Sequence, residues 1–308
     1  MFRILPDTNI NFIGARRIAF GLSTVLVILG LFAFVMTITG KANLGIDFAG
    51  GVMLQGHFEK PLSIDDLRTA MTSQFAFSQV TQVNDFKNPN SFIVKVKRPS
   101  TETEGKAQVA AIKDLLARQF PGNAFTVVSE HVIGPAVGEN LRRDAIWAVL
   151  VSLAAILVYI WVRFDFRFGV AATIATFHDV LAVLGLCYLL GEEFDLLLIT
   201  ALLTLAGYSL TDTVVVFDRI RENLKKYRGR GEFVHAFNRS INEVLSRTIN
   251  TSMTVMVVVL TLFFFGGEVL RLFSLAMIMG VIIGTYSSIF VASPIVVEWE
   301  ARRPSRFK

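Results

Sequence analysis

The chain has almost no cysteine: Cys187 stands alone among 308 residues, inside an apolar run. A single thiol excludes a disulfide framework within the chain and leaves the redox compartment unread. The short motifs of soluble catalysis are missing too. No G-x-x-x-x-G-K-[ST] loop offers a phosphate cradle, and no H-E-x-x-H, G-x-S-x-G or C-x-x-C occurs. ATP hydrolysis therefore has no visible seat, and any work the protein does must draw on another source. The surplus of basic residues, +5 with a pI near 9.4, would suit a polyanion partner if it were clustered on a soluble face, but its placement points elsewhere.

Apolar residues are what the chain has in excess, 53% of the total with a mean hydropathy of +0.55. They fall into six blocks long enough to cross about 30 Å of hydrocarbon: Ile18–Ile38, Ala145–Val162, Phe168–Leu190, Leu196–Phe217, Asn250–Phe265 and Leu270–Val297. The fifth is short and is expected to extend back into the polar stretch before it. The first is read as a retained span, since it is too long for a cleaved leader and lacks a small-residue cleavage site. Lys and Arg orient the chain. The segments before the first span, between the second and third, between the fourth and fifth, and after the sixth carry 3, 2, 8 and 4 basic residues, whereas the turns Gly191–Asp195 and Gly266–Val269 carry none. The positive-inside rule then places both termini in the cytoplasm. Expected domains are a cytoplasmic N-terminus (1–17), span 1 (18–38), an outer domain (39–143), spans 2–4 (144–218), a basic cytoplasmic loop (219–247), spans 5–6 (248–297) and a cytoplasmic tail (298–308). With the charge on the membrane's inner surface, no nucleic-acid partner is expected, and membrane lipids are.

Residues 39–143 have soluble character. Strands are expected at Leu44–Phe58, Gln79–Phe86, Phe92–Arg98 and Phe125–Val132. Helices are expected at Ser63–Phe75, capped by Ser63 with Asp65 and Asp66 in the first turn, and at Glu104–Phe120 before Pro121–Gly122. Lys87–Asn90 is read as the turn between the middle strands. The β-α-β-β-α-β order predicts a small ferredoxin-like sandwich. Its histidines, His57 and His131, show no paired metal-ligand spacing. The fold class is thus an α-helical membrane protein of six spans with one periplasmic α+β domain. No cofactor or metal is expected.

The informative residues are polar ones inside the apolar blocks. Asp212 sits about five residues inside the fourth span, where an aspartate costs roughly 2.5–3.5 kcal/mol to insert and is rarely placed without a partner or a role. Tyr208, Thr204 and Thr200 share its helical face. Arg247, Asn250, Thr251 and Thr254 form a second polar stripe opening the fifth span. Antiparallel spans joined by a moderate loop would bring Asp212 and Arg247 into an ion pair. Apolar surroundings favour the neutral carboxyl and a nearby guanidinium favours the carboxylate, so a helix shift between them would couple proton transfer to movement. A static structural pair, or an arginine snorkelling to phosphates, is the other reading. His178 and Asp179, near the middle of the third span, are read either as a second proton relay or as polar glue between spans. The loop 219–247 has apolar residues at helical spacing and reads as an amphipathic helix on the inner leaflet, or as a plain positive-inside loop.

Three strings carry a likeness: GIDFAGG (Gly45–Gly51), GYSLTDTVVVFDRIREN (Gly207–Asn223) and SRTINTS (Ser246–Ser252), with FHDV (Phe177–Val180) in support. Through them the chain resembles the SecF family of the bacterial Sec protein-export machinery, part of the resistance-nodulation-division (RND) superfamily. The likeness spans nearly the whole sequence, with Thr211 departing where the family has Asn or Asp. The resemblance implies an inner-membrane subunit, not an enzyme. It implies partnership with SecD, the SecYEG translocon, YajC and unfolded preprotein emerging on the periplasmic side, with the proton gradient pulling chain that the ATP-driven motor SecA has pushed. It places the coupling residues at Asp212 and Arg247. GIDFAGG, with Gly45, Asp47, Gly50 and Gly51, is read as a hinge joining membrane and outer domain, or as a structural turn. H⁺ and Na⁺ both remain open as the coupling ion. A stand-alone RND exporter of small molecules or ions, and a passive channel scaffold, are the competing functions.

Overall fold

The computed structural model describes residues 8–76, 78–83, 90–97, 102–226 and 233–302. Among them, six helices are long and apolar enough to cross a membrane: Ile13–Ile38, Pro135–Arg163, Phe166–Leu189, Leu196–Lys226, Phe233–Phe265 and Gly267–Arg302. The first contains α1 (Arg16–Ile38). The next four are α5, α6, α7 and α8, and the last is composite, made of α9 (Gly267–Ser287), a π-helical turn (Ser288–Ala292) and α10 (Ser293–Arg302). The fifth span does extend backward, as one continuous helix from Phe233.

Between the first two spans lie the helical turn α2 (Ile46–Ala49), β1 (Gly51–Phe58), α3 (Ile64–Gln74), β2 (Ser78–Val83), β3 (Ser91–Lys97), α4 (Glu102–Gln119) and β4 (Phe125–Ile133). The strands form one antiparallel sheet in the order β2-β3-β1-β4, the split arrangement that the β-α-β-β-α-β order requires. Ser63 caps α3 by accepting the Asp65 N–H at 3.2 Å. Val52, Leu54, Phe58, Phe92 and Val94 of the sheet close on Leu67 and Met71 of α3 and on Ile112 and Leu116 of α4.

Two expectations are corrected. The first strand does not begin at Leu44. Residues 46–49 make a helical turn bounded by Gly45 and Gly50, and Gly50 takes φ +74°, which ends the turn and reverses the chain into β1. The segment 219–247 is not a helix lying on the inner leaflet. Its first part continues α7 and its last part belongs to α8, with 227–232 outside the described residues. Ile220, Phe237, Ile241 and Leu245 are buried against Phe168, Phe217 and the sixth span, so the apolar stripe is the core of a helical hairpin. The Lys87–Asn90 turn lies outside the described residues except for Asn90.

Close helix approach fixes the bundle. Helix α1 crosses α6 at Gly30 and Gly185; a Cβ on Gly185 would stand 2.7 Å from the Gly30 nitrogen. The obstacle is backbone, which cannot swing aside. Gly185→Ala is expected to cost about 1–3 kcal/mol by overpacking, visible as a lower thermal midpoint of the purified protein; an unchanged midpoint would contradict the close crossing.

Candidate functional site

Asp212 is buried (7% exposed) in α7, within the apolar run Leu196–Phe217. The hydroxyls of Thr248 from α8 and Ser288 from the π-turn stand beside its carboxyl. Its Oδ2 has no partner in hydrogen-bond geometry. The expected contact ion pair with Arg247 is absent among the described residues, although Arg247 is near enough for its charge to act on the carboxyl. The reason is rotational: successive helical residues point about 100° apart, and α8 turns Thr248 inward while Arg247 faces out.

Arg247 shares that outer face with Thr251 and Thr254, while Thr200, Thr204 and Thr211 are exposed along α7. Each of these threonine hydroxyls donates to a carbonyl of its own helix. Tyr208 instead reaches across: its hydroxyl donates to Ser252 Oγ at 3.2 Å, and Ser252 is hydrogen-bonded to Thr285 at 2.6 Å, tying α7, α8 and α9 together.

A second centre is joined to α7 through Ser209, three residues before Asp212. Asp179 of α6 is fully buried (0% exposed). His178 Nδ1 is 2.8 Å from its Oδ1, so these adjacent residues do meet. Ser287 donates to Oδ2 at 2.7 Å, and Ser209 of α7 donates to the same oxygen. His178 Nε2 is buried without a partner. Its ring lies 6.3 Å from that of Tyr286, whose hydroxyl donates to the Ala19 carbonyl of α1 at 2.9 Å. Sequence reading missed Ser209, Ser252, Ser287 and Ser288. Their one visible signal was a hydroxyl inside an apolar span, with Pro294 close by for Ser287 and Ser288.

The GIDFAGG segment clasps the turn 191–195 that leads into α7. Gly45 N–H donates to the Phe194 carbonyl at 2.9 Å. Asp47 Oδ2 accepts the Leu196 N–H at 3.1 Å, at the first residue of the helix that carries Asp212. Gly50 leads to Gly51, which pairs with Lys97 of β3 and Ile133 of β4. From the sheet, Lys95 and Lys97 both reach Glu193, at 2.6 and 3.0 Å. Burial alone would push the Glu193 carboxyl up, but the two ammonium groups outweigh it and hold it below the usual range. Asp195 caps α7 through the Leu198 N–H at 2.8 Å. Burial, with Asp47 repelling nearby and the cap only partly offsetting it, pushes Asp195 up to about 6.

The sign follows from linkage. A carboxyl raised by folding takes up a proton as the chain folds, so its ionisation above about pH 6 costs stability, and that cost disappears as pH falls toward its unfolded value near 4. Asp195→Asn keeps a cap oxygen and removes the charge. It is expected to raise stability by on the order of 2 kcal/mol at pH 8, with the gain vanishing by about pH 4 in thermal unfolding across pH. A gain that does not vary with pH would contradict this.

The profile described as "Protein export membrane protein SecD/SecF, C-terminal" matches residues 112–302. The protein translocase subunit SecF of Thermodesulfovibrio yellowstonii is 48% identical over 298 residues, covering 96% of this chain and 97% of the relative. The SecDF protein of Thermus thermophilus is 40% identical over 306 residues, covering 98% of this chain and 40% of the relative. The crystal structure of SecDF from that organism, a translocon-associated membrane protein, superposes with a TM-score of 0.77 at 39% identity, over 98% of this chain and 40% of the longer one. By profile, sequence and fold together, the chain belongs to the SecD/SecF family of protein-export membrane proteins and aligns end to end with its SecF members.

Proposed function

We propose that this chain is the SecF subunit of the Sec protein-export machinery and that it uses the transmembrane proton gradient to promote the late stages of preprotein translocation. The observation that carries the reading is the Asp212 carboxyl: buried in a span, with one oxygen unpartnered and the Arg247 charge within reach. Such a group changes charge when a neighbouring helix shifts, and each proton moved is worth about 2.3 kcal/mol per 100 mV. Asp212 and Arg247 are the coupling residues in this reading, with Tyr208, Thr204 and Thr251 lining the path and His178–Asp179 forming a further relay.

The partner follows from the exposed stripe. The Arg247 charge cannot face acyl chains cheaply, so in this reading a second set of spans covers it and the threonine-lined face around it. The Thermus relative carries SecD and SecF in one chain, as its name SecDF says, and SecD is the expected cover. SecYEG, YajC and emerging preprotein complete the assembly. In this reading the protein lies in the inner membrane with both termini cytoplasmic and the sheet domain periplasmic, which the placement of the basic segments supports. The clasp of Asp47, Glu193 and Lys95 on the outer end of α7 would carry helix movement to that domain.

The test is preprotein export into sealed inner-membrane vesicles with ATP saturating, with and without an imposed proton gradient. Export faster with the gradient is expected. Equal rates would overturn the reading and leave a passive scaffold, while small-molecule efflux by the chain alone would favour a stand-alone exporter.

A further inference from the structure

The sixth span is interrupted where it passes both buried carboxyls. Helix α9 ends at Ser287, residues Ser288–Ala292 form a π-helical turn, and α10 resumes at Ser293. The cause is Pro294, which has no N–H to donate and whose ring crowds the carbonyl one turn earlier. Ser293 answers by donating its hydroxyl to the Ser288 carbonyl, five residues back, at 3.0 Å. Single π-turns inside α-helices recur at functional sites. All of Ser287, Ser288, Ile289, Val291, Ala292 and Ser293 are buried, so the widened turn is packed within the protein.

Two adjacent serines on this span address two different helices. Ser287 donates to Asp179 of α6 at 2.7 Å, and Ser288 stands beside Asp212 of α7. Helix α7 also serves both centres, since Ser209 donates to Asp179 three residues before Asp212. The Ser288 hydroxyl has one proton, which it donates to the Thr285 carbonyl at 3.0 Å, while Asp212 Oδ2 has no partner. A carboxylate would draw that proton across; a protonated carboxyl would instead donate to the serine oxygen. Ser288 therefore has two hydrogen-bonding states, chosen by the charge on Asp212.

We propose that the π-turn of the sixth span is a shared positioning element for two carboxyls, Ser288 setting Asp212 and Ser287 setting Asp179, so that proton loading at one is felt at the other. This rests on the reading of Asp212 as the coupling group. The other titratable or charged groups that act on Asp212 are Tyr208 of its own helix and Arg247 of α8, which stands on the outer face; the His178–Asp179 pair of α6 is joined to this region through Ser209 and Ser287. Tyr286 faces His178 from the sixth span, and Arg163 of α5 is engaged with Asp218 at 2.7 Å.

The experiment measures gradient-stimulated export across pH in sealed vesicles containing the assembled complex, together with the yield of that complex. Ser288→Ala is expected to lower the stimulated component about tenfold and to move its pH profile by about one unit. Ser287→Ala, which removes the donor to Asp179 and a longer bond to the Gly284 carbonyl of its own helix at 3.2 Å, moves the same profile. Ser274→Ala, another buried serine of the span that bonds only its own helix through the Leu270 carbonyl, leaves it unmoved. If Ser287→Ala fails to assemble, Ser287→Cys keeps the volume with a weaker donor and carries the test. A wild-type pH profile in the Ser287 variant, or an equal loss at every pH that tracks complex yield, overturns the proposal. Asp212→Asn in parallel separates the two ideas. Stimulation retained there sinks the coupling role of Asp212, whereas stimulation lost there with unmoved serine profiles sinks only the shared positioning.

Discussion

Asp212→Asn is expected to insert, assemble and support ATP-driven export while losing all of the export that needs a gradient. Asparagine is nearly isosteric and fits among the same Thr248 and Ser288 hydroxyls, so packing around residue 212 survives. It cannot bind and release a proton. The drive lost is large: about 2.3 kcal/mol for one charge across 100 mV is a bias of roughly fifty-fold. The position supports a clean effect, because Asp212 packs among short hydroxyls and has no contact ion pair whose loss would strand a buried partner. Loss of the ATP-driven component as well would assign Asp212 to assembly.

Arg247→Ala is expected to have an effect of the same class by a different route. The guanidinium faces the exposed stripe and acts on Asp212 from a distance. Removing it takes away the positive charge that acts on the carboxyl, and with it the change in charge environment that a helix shift would produce. Gradient-driven export is therefore lost, with complex yield intact because Thr248, not Arg247, makes the packing contact. Arg247→Lys keeps the charge but not the planar fork, and should retain part of the drive. A passive scaffold would keep full function in both variants. Export with and without a gradient, normalised to assembled complex, distinguishes these outcomes.

Much of the architecture was legible because membranes impose it. Continuous apolar runs fix the spans, and Asp212 stands out since a carboxylate in such a run is costly. The βαββαβ domain could be read from Ser63, the paired aspartates after it and the alternating strands. What escaped depended on rotation and distance. Thr248 and Arg247 differ by one residue, about 100° on a helix, and only packing shows which of them meets Asp212. Ser209 and Ser287 look like Thr204 or Thr211, whose hydroxyls merely bond their own helix. The hairpin core of Phe237 and Ile241 resembled a lipid-facing stripe because an amphipathic pattern does not say what covers it. Glu193 meets Lys95 across nearly a hundred residues, and no local pattern marks that pair.

The most direct test of proton exchange at Asp212 is infrared difference spectroscopy of the carboxyl C=O band in the reconstituted complex, cycled between acid and alkaline pH. Wild type should show a protonated-carboxyl band that grows and fades with pH and is missing in Asp212→Asn. Spectra of the two proteins that superimpose throughout the cycle would mean that Asp212 never changes its proton, contradicting the central claim.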